Sequence, residues 1–234
     1  MKKLLLSLFL AAGCLLCGCM QKMPEYYNEI KNAKELYEKL DSGRITMTDL
    51  SSGEDIMEFS FMINKRDEMV FSYASHGGEG EERAFSDGGQ FFYKQAEDDG
   101  WRVIPPDDES YAYNLYSRTY RYPYARGSLF FLDGTSVESV FSIGGSDGPL
   151  QITYVYDPEK LNSFAAGQLD NVSAFSALTA VYELDAEGYI TSMTETGTVT
   201  DAEGITTEVN IKITVSDMNA VYDIPYPVDN LINE

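Results

Sequence analysis

The stretch FSALTAVYEL-DAEG-YITSMTETGTVT-DAEG-ITTEVNIKITVSD, residues 175–217, decides the fold class. In its last segment Val209, Ile211, Ile213 and Val215 alternate with Asn210, Lys212, Thr214 and Ser216. That period of two belongs to a strand with one buried and one wet face. Residues 175–184, 189–200 and 206–217 therefore read as three strands of a meander. Each joint is Asp-Ala-Glu-Gly, at 185–188 and 201–204. It puts a glycine where a tight hairpin needs positive φ.

The same alternation recurs upstream. Ile45 and Met47; Met57, Phe59, Phe61 and Ile63; and Met69, Phe71 and Tyr73 each mark a half-buried strand. Residues 91–95 follow the turn Asp87-Gly88-Gly89, and 101–104 follow Asp98-Asp99-Gly100. Residues 137–143 and 150–156 form a hairpin around Gly144-Gly145-Ser146-Asp147-Gly148, and 158–166 read as a helical turn or short helix. At the front, Tyr26, Ile30, Ala33, Tyr37 and Leu40 recur at helical spacing, predicting an amphipathic helix over 24–40 with Gly43 as its stop. The sequence thus predicts an α+β protein dominated by antiparallel strands, in a single domain over 24–234.

The first residues carry a different message. Met1-Lys2-Lys3 precedes an apolar run from Leu4 to Leu16, the layout of a secretory signal. The run is shorter than the ~20 residues a bilayer span needs. It ends Leu16-Cys17-Gly18-Cys19, which resembles the bacterial lipobox: an aliphatic residue, two small residues, and the cysteine that accepts lipid. Cys14 also follows small residues but lacks the leading aliphatic one. The expectation is cleavage after residue 18, lipid on Cys19, and a short tether over 19–23. All three cysteines lie at or before 19, so no disulfide or cysteine metal site is expected in the body. A diacylglyceryl group supplies the two chains that stable anchoring requires. The expected location is extracytoplasmic, on the outer face of the cell membrane.

Charge narrows the partners. The chain carries −21; without residues 1–18 it keeps 15 basic against 38 acidic residues. Such a surface repels phosphates and anionic headgroups, which excludes nucleic acid as a partner. The 17 Tyr and 12 Phe are ample for a packed core.

With these features in place, the chain resembles the lipoprotein-carrier-like family, typified by LolA and LppX-type lipoproteins. The resemblance rests on the lipobox, the helix 24–40, the amphipathic strands, the hairpin from Tyr182-Glu183-Leu184-Asp185 to Tyr189-Ile190-Thr191-Ser192, and a final strand ending Val221-Tyr222-Asp223-Ile224-Pro225. It covers most of residues 24–228. It implies an antiparallel half-barrel, with the N-terminal helix and one or two short helices on its concave face, around a cavity that can hold acyl chains. It carries over no catalytic positions.

The chemistry-bearing residues give no enzyme. The one histidine, His76, sits before glycines in a loop. Gly144-Gly145-Ser146-Asp147-Gly148 matches Gly-x-Ser-x-Gly, but it joins two strands and no histidine follows it. Paired acids such as Asp98-Asp99 read as solvated surface, and no EF-hand-type calcium loop occurs. No cofactor and no metal are expected. Phe59, Phe61, Phe71 and Tyr73 are either plain core or the lining of an apolar ligand site, since pockets and cores use the same residue types. Tyr120 and Tyr122, in the Tyr/Arg-rich segment 110–126, are candidate rim residues. Two functions remain open: a binder of an acyl or other apolar ligand, or an envelope protein-interaction or sensing module with a filled core.

Overall fold

The computed structural model describes residues 23–64, 68–76, 80–104, 130, 132–146, 148–165, 172–201, 204–227 and 229–232. The chain begins with helix α1 (Tyr27–Tyr37). It is shorter than the 24–40 predicted. Tyr26 takes a left-handed conformation, φ 61°, which cannot continue a helix, so Pro24 stands outside it. At the other end Lys39 and Leu40 donate to Leu36 and Tyr37, tightening the last turn. Gly43 is not the helix stop. It lies in strand β1 (Ser42–Asp49), where a Cβ would come 3.2 Å from the Phe61 ring.

The remaining elements are β2 (Glu54–Ile63), β3 (Met69–Ser75), β4 (Glu82–Asp87), β5 (Phe91–Lys94), β6 (Arg102–Ile104), β7 (Val137–Gly144), β8 (Leu150–Tyr156), helix α2 (Pro158–Ala165), β9 (Val172–Leu184), β10 (Ile190–Asp201) and β11 (Thr206–Ser216). Among the described residues they form one open antiparallel sheet, ordered β6-β5-β4-β3-β2-β1-β11-β10-β9-β8-β7. The first strand lies in the middle. The chain meanders outward to β6, reappears at the opposite edge as β7, and meanders back until β11 pairs with β1. The glycines of the hairpins take the positive φ expected of them: 87° at Gly188, 84° at Gly204 and 88° at Gly144.

One face carries both helices. Ranks of paired residues cross it: Tyr182, Met193, Ile213, Met47 and Met57 face one another strand to strand. Ile30, Ala33 and Tyr37 of α1 and Leu161 of α2 join these strand residues in one buried cluster. Ile30 and Leu161 each contribute roughly 1.5–3 kcal/mol on leaving water. Asp157 starts α2 by accepting the Glu159 and Lys160 amides, and these bonds hold its carboxyl below its ordinary range.

The opposite face is treated differently on its two halves. On β8–β11 it is wet and rich in threonine. On β2–β5 it is covered by the chain after β11. Val221 and Ile224 pack on Phe85, Phe92 and Trp101, and the Tyr226 ring meets Phe85 and Phe92 edge-on at 5.2 and 5.6 Å. The Trp101 amide donates to Asn230 O at 2.7 Å, and Ile232 N donates to Trp101 O at 2.8 Å. Gly100 permits this approach, because a Cβ there would stand 2.8 Å from Asn230 O. Val221–Pro225 is therefore not the end of a strand but the start of a strap. The strap also explains why β4 escapes sequence patterning: Ala84, Phe85 and Ser86 are all buried, so alternation is lost.

Candidate functional site

Among the described residues the nominated aromatics pack on one another. Phe59 stacks on Phe71 at 5.4 Å, Phe59 meets Phe61 at 5.9 Å, and Phe71 meets Phe91 at 6.0 Å. Phe59, Phe61 and Phe71 are no more than 1% exposed, and Tyr73 is half-buried beside them. Cys19, Tyr120 and Tyr122, with the whole segment 110–126, lie outside the described residues.

The helix-bearing face changes character over β8–β11. Tyr154, Tyr156 and Tyr182 form a buried tyrosine cluster. Tyr154 meets Tyr182 edge-on at 5.8 Å, and the Tyr156 and Tyr182 hydroxyls are 3.3 Å apart. Tyr154 Oη donates to Glu25 O at 2.8 Å, fastening the segment before α1 to the sheet. Burial pushes all three phenols well above their ordinary range, so they stay protonated donors. Nearby, buried Asp133 accepts from Thr135 N and Thr135 Oγ1, both at 2.7 Å.

Next to this cluster an acidic residue lies on the helix-bearing face. Glu195 sits in β10 opposite Ala180 of β9 and Ile211 of β11. Its strand neighbours on the same face are Met193 and Gly197. Among the described residues it makes no hydrogen bond or ion pair. Burial pushes its carboxyl up to about 7, because removing the charge from water disfavours the ionised form. Beside it Gly197 has no room for a side chain: a Cβ there would come 2.3 Å from Ala177 O and 3.1 Å from Leu178 Cα. The β9–β10 register shifts nearby, at Thr198/Val199. Phe175, Val199, Val209 and Ile211 near it are only half-buried.

Sequence reasoning missed Glu195. The signal was present: Glu195 shares the parity of Met193 and Val199, while Thr194, Thr196, Thr198 and Thr200 take the other. A strand with threonine at every second position does not announce its buried face, because threonine suits either.

Other candidates resolve as ordinary surface. The Gly-x-Ser-x-Gly segment is a β7–β8 hairpin, with Ser146 at φ 53°. His76 Nδ1 lies 3.7 Å from Glu81 Oε1, but Arg83 already holds that carboxylate at 2.6 Å. A polar cleft of ≈ 340 Å³ beside them is lined mostly by Glu81, Glu82, Gln95 and Glu97. On the wet face Glu183 accepts from Ser192, Lys212 and Gln151, which lowers its carboxyl's pKa. Among the described residues no group of three or more His, Cys, Asp or Glu could hold a metal ion. No helix of the described residues is long and apolar enough to cross a membrane.

No family model matches the chain, and no curated protein matches it. Among solved structures it is similar to LprF from Mycobacterium bovis, with a TM-score of 0.48 and 12% identity over 89% of this chain and 100% of that one.

Proposed function

We propose that this is a non-enzymatic, extracytoplasmic lipoprotein, tethered through Cys19 and residues 19–23, whose single domain over 24–234 holds an acyl-chain or other apolar ligand. The ligand lies on the helix-bearing face of the open sheet, at its β9–β11 end. The observation that carries this reading is the half-buried apolar surface of Phe175, Val199, Val209 and Ile211, side by side on β9–β11. An apolar lining with few polar groups is what a small-molecule site requires. The lipobox Leu16-Cys17-Gly18-Cys19 supports the tether.

Native mass spectrometry of gently purified protein tests the binding. The expected result is an adduct of lipid mass, or uptake of added lipid; a clean apo mass with no uptake refutes it. For the tether, a Cys19→Ala chain is expected to leave the membrane fraction or stay unprocessed.

A second reading, an envelope interaction module with a filled core, is favoured by the packing of Phe59, Phe61 and Phe71. The two readings lean on different residues: Phe59, Phe61 and Phe71 are fully buried, whereas Phe175, Val199, Val209 and Ile211 are half-buried. Partner binding with no lipid uptake would select the second.

A further inference from the structure

We propose that the free edge of β7 is a docking surface for a second copy of this chain, the two β7 strands pairing antiparallel about a two-fold axis at Phe141. This goes beyond the ligand site and rests on the Cys19 tether proposed above.

The two edges of the sheet are finished differently. At the β6 edge, Leu231 of the strap bridges Trp101, with backbone bonds through Asn230 O and Ile232 N. At the β7 edge no further strand is paired among the described residues. Every second residue of β7 points its N–H and C=O away from β8, and such a row accepts another strand. Edges left in water are normally guarded by a lysine, a proline or an inward charge. From Ser139 to Gly144, Ser-Val-Phe-Ser-Ile-Gly, β7 carries none of these. It instead shows Phe141 at 60% and Ile143 at 71% exposure. Both lie on the wet face, opposite Thr153 and Gln151 of β8. Large apolar side chains on an open edge mark a strand that is paired in its working state.

The strand is complementary to itself. Pairing centred on Phe141 sets the two Phe141 rings against each other, each Ile143 against the partner's Ser139, and each Ser142 against the partner's Val140. The single charge of β7, Glu138, falls opposite Gly144, so no like charges meet along the seam. In a chain of net charge −21, a stretch of six residues without a carboxylate is a place where a copy can approach.

The tether favours a copy over a strand of another protein. Met23 and Pro24 line one cleft with Val137 and Val140 of β7, and Glu25 O accepts from Tyr154 Oη on the helix-bearing face. The chain therefore enters beside the β7 edge, on that face. A two-fold that continues the sheet runs perpendicular to it, so both copies turn the helix-bearing face to the same side. Both Met23 residues then stand near the seam. From each, the four steps back to Cys19 span at most ~14 Å. Two lipid anchors can thus enter one bilayer without straining the pair. One strand pair is narrow against the ~1,200–2,000 Å² of a stable interface. Confining both copies to one membrane raises their effective concentration and makes the narrow seam sufficient.

The test uses the mature lipoprotein in phosphatidylcholine vesicles at ~0.15 M salt, where charges more than ~8 Å apart are largely screened. Phe141→Cys and, as control, Tyr222→Cys, whose side chain is 85% exposed on the strap, are oxidised with copper phenanthroline. With Cys19 consumed by lipid, each variant carries one free thiol. Phe141→Cys is expected to form a disulfide-linked dimer several-fold faster than the control, because opposed residues of an antiparallel pair have Cα atoms ~4.5–5.5 Å apart. Adding Ile143→Lys, which guards the edge from an exposed position, is expected to bring the yield of Phe141→Cys down to the control level. Equal yields at 141 and 222, or a 141 dimer indifferent to Ile143→Lys, overturn the pairing while leaving the tether reading intact. A wild type that does not stay with the vesicles overturns both.

Discussion

Replacing Glu195 by glutamine is expected to stabilise the fold, by an amount that depends on pH. The carboxyl ordinarily titrates at 4.5 and is raised by burial to about 7 in the folded protein. Below 4.5 it is neutral in both folded and unfolded chains and costs nothing. As pH rises from 4.5 to 7 the unfolded chain releases the proton first, and folding becomes progressively less favourable. Above 7 the folded protein carries the full penalty. A tenfold difference in proton affinity is worth about 1.4 kcal/mol, so the loss between 4.5 and 7 amounts to roughly 3 kcal/mol. Glutamine has nearly the same shape and no charge, and so avoids it. Urea unfolding at pH 4, 6 and 8.5, followed through the single tryptophan, Trp101, measures the difference. The variant should match the wild type at pH 4 and exceed it by about 3 kcal/mol at pH 8.5. Other titrating groups cancel between the two proteins, including the general repulsion of an acidic chain. A difference that does not change with pH, or a variant less stable at pH 8.5, would refute the claim that partial burial raises the Glu195 carboxyl.

Two further outcomes test the packing. Removing residues 221–234 uncovers the back of β4–β6, so the Trp101 emission should shift to the red and the melting temperature should fall. Unchanged emission would mean that the strap does not shield Trp101. Phe71→Ala removes a ring in contact with Phe59 and Phe91 and should cost about 3–5 kcal/mol, measured by urea denaturation. A loss below about 1 kcal/mol, with tighter lipid binding, would instead make Phe71 the lining of an open cavity, since a filled core gives the larger cost.

Much of the fold was legible because strands announce themselves locally. Alternation at 209–216 and the Asp-Ala-Glu-Gly turns need only neighbouring residues to be understood, and the positive φ values at Gly188 and Gly204 follow from the same rule. Local signals misled where a distant contact overruled them. Gly43 looks like a helix stop, yet it lies in β1, where a Cβ would press on the Phe61 ring of the neighbouring strand. Phe85 faces the back of the sheet, where a strap from more than 130 residues away covers it. The nominated phenylalanines were found by their alternation along strands, and alternation cannot separate core from pocket.

By itself, then, the sequence determined the antiparallel strands, the hairpins and the expectation of an exported, lipid-bearing N-terminus. Each depends on periods and motifs only a few residues long. Tertiary structure alone decided that β1 would pair with β11, that Phe59, Phe61 and Phe71 would be fully buried, and that the carboxyl of Glu195 would lie on the helix-bearing face. Those facts arise from strand pairings between distant segments, and pairing assigns a threonine-rich strand the face that its own residues leave undecided.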